Sequence, residues 1–107
     1  MVANSTHAAY KTQEIQGASP EKCVLFLYDA AIQGCARNQQ EKTRRALTTL
    51  MDALDFETGG ELAVGLFRLY EYCLKMVHRS QYDSPMQILK GLRETWHHVM
   101  RNQTMEQ

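Results

Sequence analysis

The stretch CVLFLYDAAI, residues 23–32, constrains the fold more than any other part of the chain, because nine of its ten positions are apolar. As a helix it carries one apolar stripe through Val24 and Tyr28 and a second through Leu25 and Ile32. A single packing contact covers one stripe, so this helix needs cover on two sides. Its apolar run is far shorter than the roughly 18 to 20 residues of a membrane span. The stretch therefore predicts a helix of a soluble protein that is covered from two directions.

Local start and turn signals divide the chain into four helices. Residues 19–21 and 84–86 each place a serine at the N-cap and a proline at or near the first helical position. Residues 58–61, TGGE, have the spacing of a capping box around two glycines. The polar run RNQQEKTRR, residues 37–45, separates the first two helices, with Asn38 as the expected turning point. Since no segment has the period of a strand, the sequence predicts an all-α fold, an antiparallel up-down four-helix bundle with a short N-terminal helical segment.

The whole chain, residues 1–107, fits a single domain. We expect residues 1–18 to form a mobile N-terminal segment, residues 19–102 to form the bundle and residues 103–107 to form a frayed tail. A helix as short as the N-terminal one is marginal in isolation, so it must dock to become ordered. Tyr10 and Ile15 are its expected anchors.

Composition argues against several classes of function. Twelve Lys and Arg balance twelve Asp and Glu, and the best basic cluster, at residues 42–45, is short and follows an acidic residue. This pattern predicts no binding of nucleic acid. The first residues lack the basic and apolar regions of a secretory signal, which favours a cytoplasmic location without membrane insertion. The three cysteines contain no C-x-x-C pair and lie in apolar helical patterns, which is typical of structural thiols.

Catalytic and metal sites find little support in the sequence. Among the four histidines only His97 and His98 are close in sequence, and adjacent helical positions point about 100° apart. We therefore expect no metal and no cofactor. A catalytic carboxylate is the alternative for Asp29, the polar residue of the apolar run. With no second acid or base nearby in sequence, a backbone amide, an Arg or Lys partner, or a binding groove explains Asp29 better, so we expect no enzyme.

Three longer motifs occur in order along the chain. They are ASPEKCVLFLYDAAI at residues 18–32, LDFETGGELAVGLFRLYEYCLKMV at residues 54–77 and ILKGLRETW at residues 88–96, preceded by AY at residues 9–10. Together they resemble the flagellar export chaperone family FliS, whose members typically show ASPE and an apolar run into LYDGAI, then LD-x-x-x-GGE, and a closing LRETW.

The resemblance implies a cytoplasmic chaperone without catalytic activity. Such a bundle binds the disordered C-terminal segment of flagellin in an apolar groove, prevents premature polymerisation and assists type III export, with export apparatus components as further partners. The N-terminal segment around the AY motif covers the groove and moves when the ligand arrives. The partner-binding residues that follow from the matching motifs are Tyr10, Ile15, Leu25, Tyr28, Asp29 and Tyr70.

The chain departs from the family pattern in two places. Ala30 replaces a glycine, and the region between Asp29 and Leu54 is about fifteen residues shorter, or about four helical turns. The first two helices are then either a shortened hairpin, which we favour, or one rod through residues 37–45 that invites a domain-swapped homodimer. Two other functions stay open: a helical oligomerisation module, and a FliS-like paralogue with a different export client.

Overall fold

Four helices form the structure, a computed structural model that describes Tyr10 and residues 20–106, including the side chains of Tyr10 and residues 22–99. The helices are α1 (Pro20–Ala36), α2 (Gln40–Asp52), α3 (Phe56–His78) and α4 (Asp83–Glu106). α1 packs on α2 and α4, and α3 packs on the same two helices. Because short connections join them, successive helices run antiparallel. The predicted all-α four-helix bundle is confirmed.

Most of the predictions for the N-terminal residues 1–18 concern residues that the structure does not describe. Ile15 and the rest of the predicted N-terminal helical segment lie outside the described residues, whereas Tyr10 is described. The backbone of α4 is helical as far as Glu106, and Gln107 is again outside. The division into a mobile segment, a bundle and a frayed tail stays a prediction.

A tight turn at Asn38 joins α1 to α2. Asn38 has a φ of 54°, its N–H donates to the carbonyl of Cys35, and the N–H of Gln39 donates to the carbonyl of Gly34 at 2.8 Å. This pair of hydrogen bonds is the Schellman arrangement that ends a helix, with asparagine in the left-handed position. The predicted turning point is confirmed, and the chain forms a hairpin here instead of a continuous rod.

Gly34 has a different role from the one that its helix propensity indicates. A Cβ atom at this position would lie 2.2 Å from Oγ1 of Thr43 and 3.1 Å from its backbone nitrogen. Thr43 is fully buried, and its hydroxyl donates to the carbonyl of Gln39 at 2.8 Å. Gly34 therefore lets α1 approach α2 closely at the hairpin end of the pair.

The start of α3 differs from the predicted capping box. The helix begins at Phe56, and the Asp55 carboxylate accepts hydrogen bonds from the N–H groups of Glu57 and Thr58, at 3.1 and 3.2 Å. The predicted start at Thr58 is wrong because Asp55 caps the chain one turn earlier. Gly60, with φ 53° and ψ −131°, then kinks the helix, which only glycine adopts readily.

The core lies along the axis of the bundle and takes side chains from all four helices. Trp96 is buried, and the thiols of Cys35 and Cys73 lie within the core. Burial raises the pKa of the Cys73 thiol to about 12, so this side chain packs as a neutral, apolar group. Other buried apolar residues are Val24, Tyr28, Ala31, Ala46, Leu47, Leu50, Leu54, Ala63, Leu66, Tyr70, Val77 and Leu89. No helix within the described ranges is long and apolar enough to cross a membrane.

Candidate partner-binding site

Three tyrosine hydroxyl groups meet inside the bundle. The hydroxyl of Tyr70 on α3 hydrogen-bonds to that of Tyr28 on α1 and to that of Tyr10. From α4, the indole nitrogen Nε1 of Trp96 donates to the Tyr28 hydroxyl at 3.0 Å. We call these four residues the tyrosine cluster. It joins three helices to one residue that arrives from outside the four-helix bundle.

Tyr10 covers the other three residues of the tyrosine cluster as an added layer. Its ring packs against Trp96, with 5.3 Å between the ring centroids and a tilt of 57°, an edge-type geometry that aromatic pairs favour. An isolated antiparallel bridge pairs its backbone with Leu54, in the connection between α2 and α3. Only 7% of Tyr10 is exposed, so this side chain is seated as deeply as the bundle's own core.

Burial keeps the tyrosine cluster uncharged. Desolvation raises the pKa of the Tyr10, Tyr28 and Tyr70 phenols above their ordinary value, since an anion here would lose its hydration. For Tyr10 and Tyr70 the neighbouring Tyr28 phenol adds to this increase. The cluster therefore acts through neutral hydrogen bonds and ring packing.

Asp29 pairs with an arginine of the closing motif. Nε of Arg93 donates to Oδ1 of Asp29 at 2.5 Å, and Nη2 lies 3.5 Å from Oδ2. The pair links α1 to α4 at the surface, with 54% of the Asp29 side chain and 38% of the Arg93 side chain exposed. Of the roles considered for Asp29, an arginine partner is the one that the structure contains. No group of three potential metal ligands occurs among the residues described.

Apolar surface remains open on two helices. Phe26 on α1 is 72% exposed, while Leu25 and Ile32 on its flank are half-buried against the core. On α3, Leu62 and Leu69 are 40% and 38% exposed. α3 buries the stripe centred on Leu66 and Tyr70, which leaves Leu62 and Leu69 at the surface. Spacing identifies an apolar helix but not which of its two stripes its neighbours cover.

The chain matches one family of known proteins over nearly its whole length. A family model described as flagellar protein FliS matches residues 2–103. The chain belongs to the FliS family. It is similar to the flagellar secretion chaperone FliS of Campylobacter jejuni subsp. jejuni serotype O:6, with 27% identity over 128 aligned positions that cover 100% of both chains. The family assignment made from the three sequence motifs is confirmed.

The FliS relative is longer than this chain. The alignment has 128 positions and this chain has 107 residues, so the Campylobacter protein contains residues without a counterpart here. Within the present structure, α1 and α2 have 17 and 13 residues, against 23 and 24 in α3 and α4. The hairpin of α1 and α2 is thus the shorter of the two in this chain, and a hairpin shortened relative to the family stays a prediction.

The six site residues that the FliS resemblance implies fall into three groups. Tyr10, Tyr28 and Tyr70 come together in the tyrosine cluster. Leu25 and Asp29 lie on α1 beside it, and Ile15 is outside the described residues. Sequence reasoning missed Trp96 as a member of this site, although its position in the LRETW motif was a signal, and it missed the exposed Phe26.

Proposed function

We propose that this FliS-family protein is a cytoplasmic flagellar export chaperone that binds the disordered C-terminal segment of flagellin. Binding keeps the subunit from polymerising too early and assists its type III export, and the chaperone does no chemistry on its client. The observation that carries the proposal is that Tyr10, a residue outside the four helices, packs on Trp96 and hydrogen-bonds to Tyr70. Membership of the FliS family supports it.

The mechanism follows from what Tyr10 occupies. When the flagellin segment binds, an apolar or aromatic side chain of the client takes the place of Tyr10 over Trp96 and the Tyr70 hydroxyl. A client tyrosine makes the exchange nearly balanced, because it remakes both the hydroxyl bond and the ring contact that Tyr10 gives up, whereas a purely apolar side chain remakes only the packing. Tyr10 thus shields the site when no client is present, and it sets a threshold that a weakly fitting segment does not pass.

Tight binding requires that the client also contacts residues beyond the position that Tyr10 occupies. Each apolar side chain that the client covers contributes roughly 1.5 to 3 kcal/mol, and part of that is lost in ordering the flagellin segment. The half-buried Leu25 and the exposed Phe26, Leu62 and Leu69 give the segment further apolar positions on α1 and α3. Because α1 and α3 each pack mainly on α2 and α4 rather than on each other, the segment reaches both only by wrapping around the bundle. An amphipathic stretch then lays its apolar face on each helix in turn.

Calorimetric titration with a synthetic flagellin C-terminal segment tests the proposal. The wild-type protein should bind it, and Phe26→Ser should weaken binding without lowering the melting temperature, since Phe26 is mostly exposed. Gln87→Ser on the exposed surface of α4 is a matched control and should bind as the wild type does. Absence of binding to the wild type, or equal binding by the Phe26 variant, would contradict the proposed mode.

The open apolar surface also supports a second candidate, a module that self-associates. Phe26, Leu62 and Leu69 would then pack against another copy of the chain. Light scattering with and without the flagellin segment separates the two. A monomer that forms a heterodimer with the segment supports the chaperone, and a dimer indifferent to the segment supports self-association. Binding of another export substrate in place of flagellin would identify a paralogue with a different client.

A further inference from the structure

A cleft lies at the end of the bundle opposite the Tyr10–Leu54 bridge. The first turns of α2 and the last turns of α3 enclose about 580 Å³ there. We call it the basic cleft and define it by Arg44 on one wall and Leu74, Lys75, Val77 and Arg79 on the other. Its volume is within the range of about 300 to 1,000 Å³ that ligand pockets occupy.

The two walls of the basic cleft are tied together. The side-chain amide of Gln40, the first residue of α2, donates to the carbonyl oxygens of Val77 and His78 at 2.8 and 3.2 Å. At the end of α3, Ser80 takes a left-handed conformation and the N–H of Gln81 donates to the carbonyl of Met76 at 2.9 Å. The cleft is therefore formed before any partner arrives, which reduces the entropy lost on binding.

Positive charge is in excess around the basic cleft. Arg44 is paired with Glu41 at 2.5 Å, and the same carboxylate also lies 3.3 Å from Arg45. Lys75 and Arg79 have no carboxylate partner in the part of the chain that the structure describes. The lining thus sets Arg44, Lys75 and Arg79 against Glu41 alone, in a chain whose formal net charge is zero.

The floor of the basic cleft is apolar. Val77 is almost completely buried in the core, and Leu74 packs against the core while its outer side lines the cleft. An anion alone would leave this floor in contact with water. A ligand that complements the whole cleft carries carboxylates at its rim and an apolar side chain at its centre.

We propose that the basic cleft docks an acidic segment of a partner protein, with carboxylates on Lys75 and Arg79 and an apolar side chain on Leu74. This inference goes beyond the proposed function, because no residue that lines the cleft belongs to the tyrosine cluster. A protein that holds a client at the tyrosine cluster then recruits a second protein through the cleft.

The test uses a fluorescein-labelled peptide of glutamate, serine and leucine, and a counterpart with lysine at every glutamate. Fluorescence anisotropy with the full chain should show binding of the acidic peptide only, weaker at higher salt because the rim is exposed. Lys75→Glu with Arg79→Glu should reduce the affinity by about tenfold or more. The neutralising pair Lys75→Gln with Arg79→Gln should give a smaller loss. Arg68→Glu with Lys90→Glu makes the same charge change outside the cleft and should leave affinity unchanged.

Each other outcome overturns the proposal. Equal binding of both peptides, or equal loss in the control pair, would mean that no specific site exists. Displacement of the acidic peptide by inorganic phosphate at low concentration would identify a small-anion site instead of a peptide site. Circular dichroism melting of every variant verifies that a loss of binding is not a loss of fold. Flagellin is absent from the experiment, so its result is independent of the client assignment.

Discussion

The hydroxyl group of Tyr10 hydrogen-bonds to the hydroxyl group of Tyr70, 60 residues further along the chain. This bond joins a residue outside the four helices to the interior of the bundle, where Tyr70 is fully buried. A contact over this sequence separation costs loop entropy, and the bundle has its own core without it. The contact can therefore open while the four helices stay folded, which is what a cover over a binding site requires.

Tyr10→Ala should release the N-terminal segment and leave the bundle folded. We expect faster amide hydrogen exchange across residues 6–16 and an unchanged helical content by circular dichroism. Tyr10→Phe keeps the ring contact with Trp96 and loses only the hydroxyl bond, at a cost of about 0.5 to 1.5 kcal/mol. Its exchange rates should lie between those of the wild type and the alanine variant. Unchanged exchange across residues 6–16 in the alanine variant would mean that Tyr10 does not hold the segment.

Alkaline pH should destabilise the folded protein through the buried phenols. Their pKa values are raised in the folded state, so their contribution is fully present below about pH 10, where an unfolded tyrosine titrates, and is lost as the pH rises further. Each phenol then lowers the free energy of unfolding by up to about 1.4 kcal/mol per pH unit. Urea denaturation between pH 8 and about pH 11 measures the slope. Tyr10→Phe should reduce this slope.

Gly34→Ala should destabilise the α1–α2 hairpin by about 1 to 3 kcal/mol, because the added methyl group meets both the side chain and the backbone of Thr43. Gly91→Ala is the matched control: its Cβ meets nothing within 4 Å, so the change should stabilise α4 by about 0.5 to 1 kcal/mol. Adding Thr43→Ala to Gly34→Ala should restore only part of the loss, because the backbone nitrogen at 3.1 Å remains. Equal stability of the two single alanine variants would rule out the close approach.

Variants of Asp29 and Arg93 can distinguish a structural role of Asp29 from a role in client binding. The pair is half-exposed, so Arg93→Gln should lower the free energy of unfolding by less than about 1 kcal/mol, and by less still in high salt. Asp29→Asn removes the same ion pair and should cost a similar amount. If Asp29 also contacts the client, as the FliS resemblance implies, Asp29→Asn should weaken flagellin binding more than Arg93→Gln does. Equal effects of the two variants on flagellin binding would mean that Asp29 does not contact the client and acts only as the ion-pair partner of Arg93.

Local chemistry explains which parts of the fold could be predicted from the sequence. The turn at Asn38 follows from a polar run and from the tolerance of asparagine for a positive φ, both of which are properties of a few neighbouring residues. The same kind of signal misplaced the start of α3, because Asp55 and Thr58 are both good N-cap residues and only the path of the chain selects between them. Helix existence is local, but helix boundaries depend partly on the fold.

The contacts within the candidate site could not be predicted from the sequence. That Tyr28, Tyr70 and Trp96 meet depends on the relative rotation and height of three helices, which periodicity within each helix leaves undetermined. The FliS resemblance selected Tyr10, Tyr28 and Tyr70 but not their mutual hydrogen bonds. The hydrogen bond from Gln40 to the Val77 carbonyl was also not predictable, since a glutamine in a polar run is expected to be solvent-exposed.

Emission from Trp96, the single tryptophan of the chain, reports directly whether the client displaces Tyr10. Tyr10 packs on its ring, so release of Tyr10 changes the environment of this one fluorophore. We would titrate the wild type and Tyr10→Ala with the flagellin C-terminal segment. We expect the emission of the wild type to shift to that of a Tyr10-free site as the segment binds. Tyr10→Ala should start with the shifted emission and bind at least as tightly, because Tyr10 no longer competes with the segment. Tight binding with no change in wild-type emission would contradict this expectation, because Tyr10 would still be seated on Trp96.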